Sequence, residues 1–415
     1  MILMAHIKVA FVLFTNMAVG AGTETVVQTY ASQLKKLDSE VEITIVQTDW
    51  MSSSSNAPIL KSSIGDGINL LTLHSPHLSK FYKWVDTKLP HFMKSIMSFS
   101  LYPFIYILIN HKQIKKISKE SDVIYFVNQS DSFAWLILNE PIRKKNIESG
   151  HCGLISFPKN RHTRGLLNKF GYRIFNRWSF SYHYLTNSQA LAVKRHNKYD
   201  FILPNGADTD IFRPLKKDLS SQNTMTNIQK NDIKHPTKFV YFGRVDRGKG
   251  VAELIDAFNR YPYDDTLTVI GTGELVNLVK NSPRKIDYEG FIDREILPEK
   301  IADHDIFIFP THGETFGIVV LEAVASGVFC LVSEKLKGIF DDLESIGAIT
   351  YIQDTSEGIL NAMIKYRNVR PTYEKKLQWH RYIEENYDWK IISKELYNKI
   401  VMISKAKKMN IEYGL

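Results

Sequence analysis

Phe239-Val-Tyr-Phe-Gly-Arg-Val-Asp-Arg-Gly-Lys-Gly-Val251 decides the fold. Its first four residues are β-branched or aromatic, as a strand buried on both faces requires. Glycines at 243, 248 and 250 let the backbone turn tightly and come close to a ligand. Helical spacing of apolar residues then resumes over 251–259, so the stretch reads as strand, basic glycine loop and helix. Arg244 and Lys249 place two cations beside a helix N-terminus, whose dipole also favours anions. Together they suit a diphosphate. Two other readings stay open from these residues alone. Gly243-x-x-x-x-Gly248-Lys249 fits a P-loop up to its last position, where Gly250 replaces the hydroxyl residue that would hold magnesium. A basic helix N-terminus without a ligand has the same appearance.

The alternation of short apolar runs and helical segments continues in both directions, the pattern of parallel α/β layers. Beyond the loop, strands are predicted at 239–242, 267–270, 306–309 and 329–332, with helices at 251–259, 275–280 and 316–325. Helical segments fill 357–408. Before the loop, strands are predicted at 7–14, 43–46, 123–127, 182–186 and 201–203, and a helix at 23–37. Residues 215–236 are polar and read as a linker. Two α/β domains on either side of a linker are expected to bind ligand at the carboxyl ends of their strands.

The 415 residues are 44% hydrophobic and 23% charged, which excludes a mainly disordered chain and suggests two or three domains. Two cysteines, Cys152 and Cys330, exclude a disulfide framework and a four-cysteine metal site, and fit a reducing cytosol. The net charge of +9 is lopsided: residues 1–200 hold 24 Lys and Arg against 13 Asp and Glu, the remainder 29 against 31. Residues 149–199 carry nine basic side chains and no acidic one. Membrane lipid, a phosphorylated substrate and nucleic acid are the partners such charge would attract, and a solvated basic face is the alternative. The apolar stretch 92–110 is broken by Lys94 and Pro103, so it reads as an interfacial or core helix rather than a membrane span. The apolar N-terminal run lacks a basic flank and a cleavage site, and reads as a buried strand rather than a signal peptide.

A second signal is His312-Gly-Glu314-Thr-Phe316-Gly317-Ile-Val-Val-Leu-Glu322, which follows the apolar run ending at Pro310. Two glutamates straddle the start of a helix, and the amides of 316–319 could meet a phosphate. Glu314 capping the helix, with Glu322 facing solvent, is the alternative.

With three further stretches, these motifs stand in an order that resembles one family. The three are Gly20-Ala-Gly22-Thr-Glu24, Pro204-Asn-Gly-Ala-Asp-Thr-Asp-Ile-Phe-Arg-Pro214 and Val269-Ile-Gly271-Thr-Gly-Glu274. The chain resembles the retaining, nucleotide-sugar-dependent glycosyltransferases of the glycosyltransferase-4 group. That resemblance implies an α/β chain of GT-B type: two facing Rossmann-like domains with an interdomain cleft. It divides the chain into an acceptor-binding domain at 1–204, a hinge at 205–236, a nucleotide-sugar-binding domain at 237–380, and helices at 381–415 crossing back to the first domain. It makes Arg244 and Lys249 the grip on the donor diphosphate, Glu322 the partner of the ribose, and Glu314 the contact to the transferred sugar. Phe316 and Gly317 line donor sugar and phosphate, Gly20 and Gly22 lie in the N-terminal loop that closes over the donor, and Gly271 and Phe291 join the donor-binding set. His151 matches the family's N-domain histidine beside the sugar, although its neighbour Cys152 departs from the motif.

No metal or other cofactor is expected, because two cations and a helix dipole can neutralise a departing diphosphate. Asp208-Thr-Asp210 and Asp303-His-Asp305 fit the metal-binding D-x-D pattern of a different glycosyltransferase fold, but neither brings a third ligand. The expected reaction moves a hexose from a UDP- or GDP-sugar to a glycan or lipid-linked saccharide, in cell-surface glycan or N-glycan precursor synthesis. The expected partners are the donor, that acceptor and an anionic membrane surface, with no nucleic acid. A cytoplasmic chain, peripheral on the cytoplasmic membrane face, is the expected location. A P-loop-like nucleotide-binding protein and a non-catalytic GT-B partner subunit are the alternatives.

Overall fold

Runs rich in Val, Ile and Phe, buried on both faces, become most of the inner strands of two all-parallel sheets. The computed structural model describes residues 6–13, 22–48, 65–75, 102–128, 135–136, 140–152, 178–193, 197–215 and 235–412. The chain divides into two units, Met1–Asn205 with Trp389–Leu415, and Gly206–Asp388.

In the first unit the elements run β1 (Lys8–Val12), α1 (Gly22–Leu37), β2 (Glu42–Thr48), β3 (Ile68–Leu73), α2 (Tyr102–Ile109), α3 (His111–Glu120), β4 (Val123–Asn128), β5 (Asn146–Cys152), β6 (Ser181–Tyr184), α4 (Asn187–Val193) and β7 (Phe201–Ile202). The strand order is β3-β2-β1-β4-β5-β6-β7. β1 is central: Val9 lies opposite Ile43 on one side and Val123 on the other. Val9, Ala10, Phe11 and Val12 are accordingly buried, and α1 covers them with Val26, Val27, Tyr30, Ala31 and Leu34. Each such aliphatic or aromatic side chain contributes roughly 1.5–3 kcal/mol by leaving water.

The second unit repeats the plan with β8 (Lys238–Phe242), α5 (Val251–Arg260), β9 (Thr266–Ile270), α6 (Val276–Lys280), β10 (Asp287–Gly290), α7 (Leu297–Ala302), β11 (Ile306–Phe309), α8 (Ile318–Ala325), β12 (Phe329–Ser333), α9 (Asp341–Ser345), β13 (Ile349–Ile352), α10 (Ser356–Tyr366) and α11 (Tyr373–Tyr387). Its order is β10-β9-β8-β11-β12-β13. The propagation direction of each sheet reverses once, between β1 and β4 and between β8 and β11. In parallel sheets that reversal opens a crevice at the carboxyl ends of the two strands.

The chain passes between units at Asn205/Gly206 and at Asp388/Trp389. The hinge expected at 205–236 is therefore divided. Residues 206–215 fold into the second unit, with Ala207 and Phe212 fully buried, and 216–234 lie outside the described residues. Ala207 pairs with Asp388 in an isolated parallel bridge, and buried Asp388 accepts from the Thr209 amide (3.3 Å) and its hydroxyl. Arg381 to Tyr387 complete α11 within the second unit. α12 (Trp389–Glu412) belongs to the first, where Trp389 packs edge-on against Tyr30 at 5.4 Å and Tyr397 donates to Asp38 at 2.5 Å.

Candidate active site

The loops leaving β8 and β11 flank the reversal point of the second sheet. Two glycines lock them together. A Cβ on Gly271 (φ 132°) would stand 1.9 Å from the Gly243 carbonyl oxygen, and one on Gly250 (φ 70°) 2.1 Å from the Pro310 carbonyl oxygen. The Val245 amide donates to Thr272 O (2.8 Å), the Leu275 amide to Val245 O (3.0 Å) and the His312 amide to Gly248 O (3.1 Å). Backbone thus packs on backbone across three loops, which positions 243–250 between 271–275 and 310–312. Gly271 serves here as that spacer.

The functional side chains project from this clamp. Lys249 Nζ is ion-paired with Glu314, and both side chains are largely covered. Arg244 is 70% exposed, with Nη1 3.1 Å from Asp246 Oδ2, while the buried Tyr241 hydroxyl donates to its carbonyl at 2.5 Å. The Asp246 side chain also accepts from the Lys249 amide at 3.0 Å, capping the short turn Arg247–Lys249. An acid thus takes up an amide that a P-loop would turn toward phosphate, and the helix opens only at Gly250. Phe316 is buried edge-on against Phe340 at 5.3 Å, and Gly317 (φ 95°) precedes α8.

Glu322 does not face solvent. α8 is apolar almost all round, so it packs into the core and carries the carboxylate inside, where its side chain is 5% exposed. Burial raises its pKa, Arg294 Nη2 at 2.9 Å opposes the rise, and Asp208 adds to it. Phe291 is exposed in the loop after β10. His312 stands between Asp354 (Nδ1–Oδ2 2.8 Å) and Glu253 (Nε2–Oε2 3.2 Å). Burial would lower its pKa, but the two carboxylates together raise it.

His151 lies in the first unit on β5, buried. Nε2 meets Asn205 Oδ1 at 2.8 Å and Nδ1 meets the Ser149 hydroxyl. Burial lowers its pKa to about 4, the Asn205 contact opposing, so the ring is neutral at pH 7. Behind it His183 donates to Leu203 O (2.7 Å) and accepts from Tyr125 (2.5 Å). Gly22 opens α1, and Gly20 lies outside the described residues. Arg294, His312 and Asn205 had no assigned role in the sequence reading. Asn205 and His312 stand next to motif residues in the sequence, while Arg294 follows a strand, Asp287–Gly290, too short and polar to be read from it.

Of the two D-x-D pairs, Asp303 and Asp305 are engaged away from the site, whereas Asp208 faces Glu322. Asp303 pairs with Lys238 at 2.7 Å, and Asp305 accepts from the Lys238 amide at 2.9 Å and meets Arg370 at 3.3 Å. Among the described residues no three His, Cys, Asp or Glu side chains gather as metal ligands would.

Residues 236–366 match the family described as Glycosyl transferases group 1. A glycogen synthase of Elusimicrobium minutum is 24% identical over 224 residues, covering 49% of this chain and 45% of that protein. A phosphatidyl-myo-inositol mannosyltransferase of Propionibacterium freudenreichii is 29% identical over 170 residues, covering 39% and 42%. The chain therefore spans less than half the length of these relatives. Anabaena HepE, solved in complex with UDP and glucose, superposes with a TM-score of 0.64 over 95% of this chain and 99% of that one, at 16% identity. Residues 236–366 are a Glycosyl transferases group 1 domain, in a chain with the GT-B glycosyltransferase fold.

Proposed function

We propose that this chain is a metal-independent, retaining glycosyltransferase of the glycosyltransferase-4 group. It moves a hexose from a nucleotide diphosphate sugar to a glycan or lipid-linked saccharide, in cell-surface glycan or N-glycan precursor synthesis. The observation that carries the reading is the Lys249–Glu314 pair, set by two interlocked loops at the carboxyl ends of β8 and β11. A diphosphate entering there competes with Glu314 for Lys249, adds Arg244, and meets the amides that open α8. Released from the lysine, the Glu314 carboxylate is free to accept from sugar hydroxyls.

In the transfer the bond from the anomeric carbon to the diphosphate oxygen breaks, and a bond to the acceptor hydroxyl oxygen forms on the same face. The hydroxyl proton passes to the departing phosphate. Lys249 and Arg244 stabilise the charge that develops on that oxygen, which lowers the barrier without a metal ion. His151, neutral, would act as a hydrogen-bonding group and not as an acid.

An anionic membrane on its cytoplasmic side is the surface on which we place the acceptor. α2 ends in Leu108 and Ile109, which are 56% and 55% exposed. The next helix, α3, turns Lys112, Lys115, Lys116 and Lys119 outward while burying Ile114 and Ile117. Apolar tips beside a row of lysines suit a lipid interface. Trp84 and the nearby Lys80, Lys83, Lys88 and Lys94, residue types that suit the same interface, lie outside the described residues. Among the described residues no helix is long and apolar enough to cross a membrane.

Thermal unfolding against UDP- and GDP-sugars and ATP, with magnesium or with a chelator, tests the reading. Stabilisation by one nucleotide sugar in chelator, lost in Arg244→Ala, is the expected result. A shift with magnesium-ATP alone would overturn it.

A further inference from the structure

Arg294 has a position that the donor-site reading leaves unexplained. Its guanidinium is held from two sides. On one, Nη2 stands 2.9 Å from Glu322 Oε1. On the other, it lies 5.3 Å from the centroid of the Phe212 ring, which is fully buried in segment 206–215. The charged groups facing Glu322 are Arg294, from the loop after β10, and Asp208, from that same segment. Oε1 is buried, and despite the closeness of Arg294 no described N–H or O–H is aimed along a hydrogen bond to it.

A ribose offers two neighbouring hydroxyls, each a donor. A carboxylate accepts from both only when ionised, because a protonated carboxyl turns one oxygen into a donor. Buried beside Asp208, Glu322 without a cation would keep its proton. We propose that Arg294 is a positioning residue of the donor site: it holds Glu322 as an oriented carboxylate that accepts from the ribose diol of the nucleotide. The inference rests on the donor-site reading above and adds to it the residue on which ribose recognition depends.

The test is equilibrium binding of UDP and GDP, and of their 2′,3′-dideoxy counterparts, to the full chain between pH 6 and pH 9. The wild type should bind the ribose form of its nucleotide about tenfold more tightly than the dideoxy form, the size of a hydrogen bond to a charged group. Arg294→Met and Glu322→Gln should each lose that preference, and Arg294→Lys should restore most of it. In Arg294→Met the preference should return as pH rises and Glu322 gives up its proton, whereas Glu322→Gln should show no such return. Arg294→Gln carries the same test if the Met variant fails to fold. A ribose preference in Arg294→Met equal to wild type at every pH overturns the role of Arg294 and leaves the donor site standing. No binding of UDP or GDP by the wild type overturns both.

Discussion

In the first unit the buried polar groups of β5 face one another. Hydrogen bonds link Ser149, His151 and Asn205 in one set and Tyr125 and His183 in another, and the rings of His151 and His183 meet edge-on at 5.5 Å between them. In the second unit, built on the same strand order, the polar groups at the matching end of the sheet are charged and in part exposed. Lys249 and Glu314 pair at the mouth, Arg244 reaches into solvent, and only Glu322 is drawn inside, where Arg294 meets it. A closed neutral network serves a fixed shape. Charges left near water serve a ligand, because their desolvation penalty is met only when an opposite charge arrives.

The same contrast explains what was legible. The second unit's site was readable because glycines and charges are rare within apolar α/β sequence, so their spacing stands out. Five of the described strands of the first unit and four of the second follow from apolar runs. The strands missed are β3, β10 and β13, which lie at sheet edges, and β5, which is central. β10 alternates exposed and half-covered residues over Asp287–Gly290 and has no apolar run, while Asn69 and Thr72 break the run of β3 and Thr350 that of β13. β5 escaped because Asn146, Glu148, Ser149 and His151 are buried polar residues, whose partners on β4, β6 and the 203–205 segment are remote in sequence. Arg294 was invisible for the same reason: its meaning depends on Glu322 and Phe212, neither of them near it in the chain.

The largest expected effect is on chemistry in the second unit. Lys249→Ala should lower kcat by about 10²–10³-fold at saturating donor, the usual cost of losing one charge-stabilising group. Steady-state rates with the stabilising nucleotide sugar measure it, and unchanged turnover would remove the leaving-group role. Next in size is a backbone clash. Gly271→Ala sets a methyl against the Gly243 carbonyl at a φ of 132°, and should cost about 3 kcal/mol in urea unfolding. In the first unit Gly150→Ala sets a methyl 2.6 Å from the Gln189 side-chain oxygen; Gln189 is itself buried and bonded to the Leu185 amide and the Gly150 carbonyl, so its displacement should cost about 2 kcal/mol. A larger loss at Gly150 than at Gly271 would break the comparison of a loop locked by backbone with a strand locked by side chains.

Acid should separate the units. His151 and His183 have pKa values lowered to about 4 and about 3, chiefly by burial, so folded rings stay neutral where unfolded ones gain a proton. Their stability is intact above about pH 6.5 and is lost as pH falls toward those values, by about 2 kcal/mol for each ring at pH 5. His312 has the opposite sign: its raised pKa makes its contribution complete below about pH 6.5 and lost as pH rises beyond. Hydrogen exchange at pH 7.5 and pH 5, corrected for intrinsic rates, should show β4–β6 losing more protection on acidification than β8 and β11, where the one buried histidine described nearby, His304, has its pKa lowered in the same direction. Uniform loss across both sheets would mean that the buried histidines do not set the acid limit.

The smallest expected change in stability comes from Arg244, and it is the sharpest test of function. Its only ion pair among the described contacts is with Asp246, and a pair that exposed is worth about 0.5 kcal/mol or less. The loop it stands on is held by backbone contacts that do not involve its side chain, namely the Val245 and Leu275 amide bonds and the Tyr241 hydroxyl on its carbonyl. Arg244→Ala should therefore unfold within a degree or two of wild type while binding the nucleotide diphosphate about tenfold more weakly, as loss of one charge-assisted contact predicts. Lowered stability with unchanged binding would move Arg244 from the ligand to the scaffold. Unchanged stability with weakened binding is what a charge held near water for an anionic ligand must give.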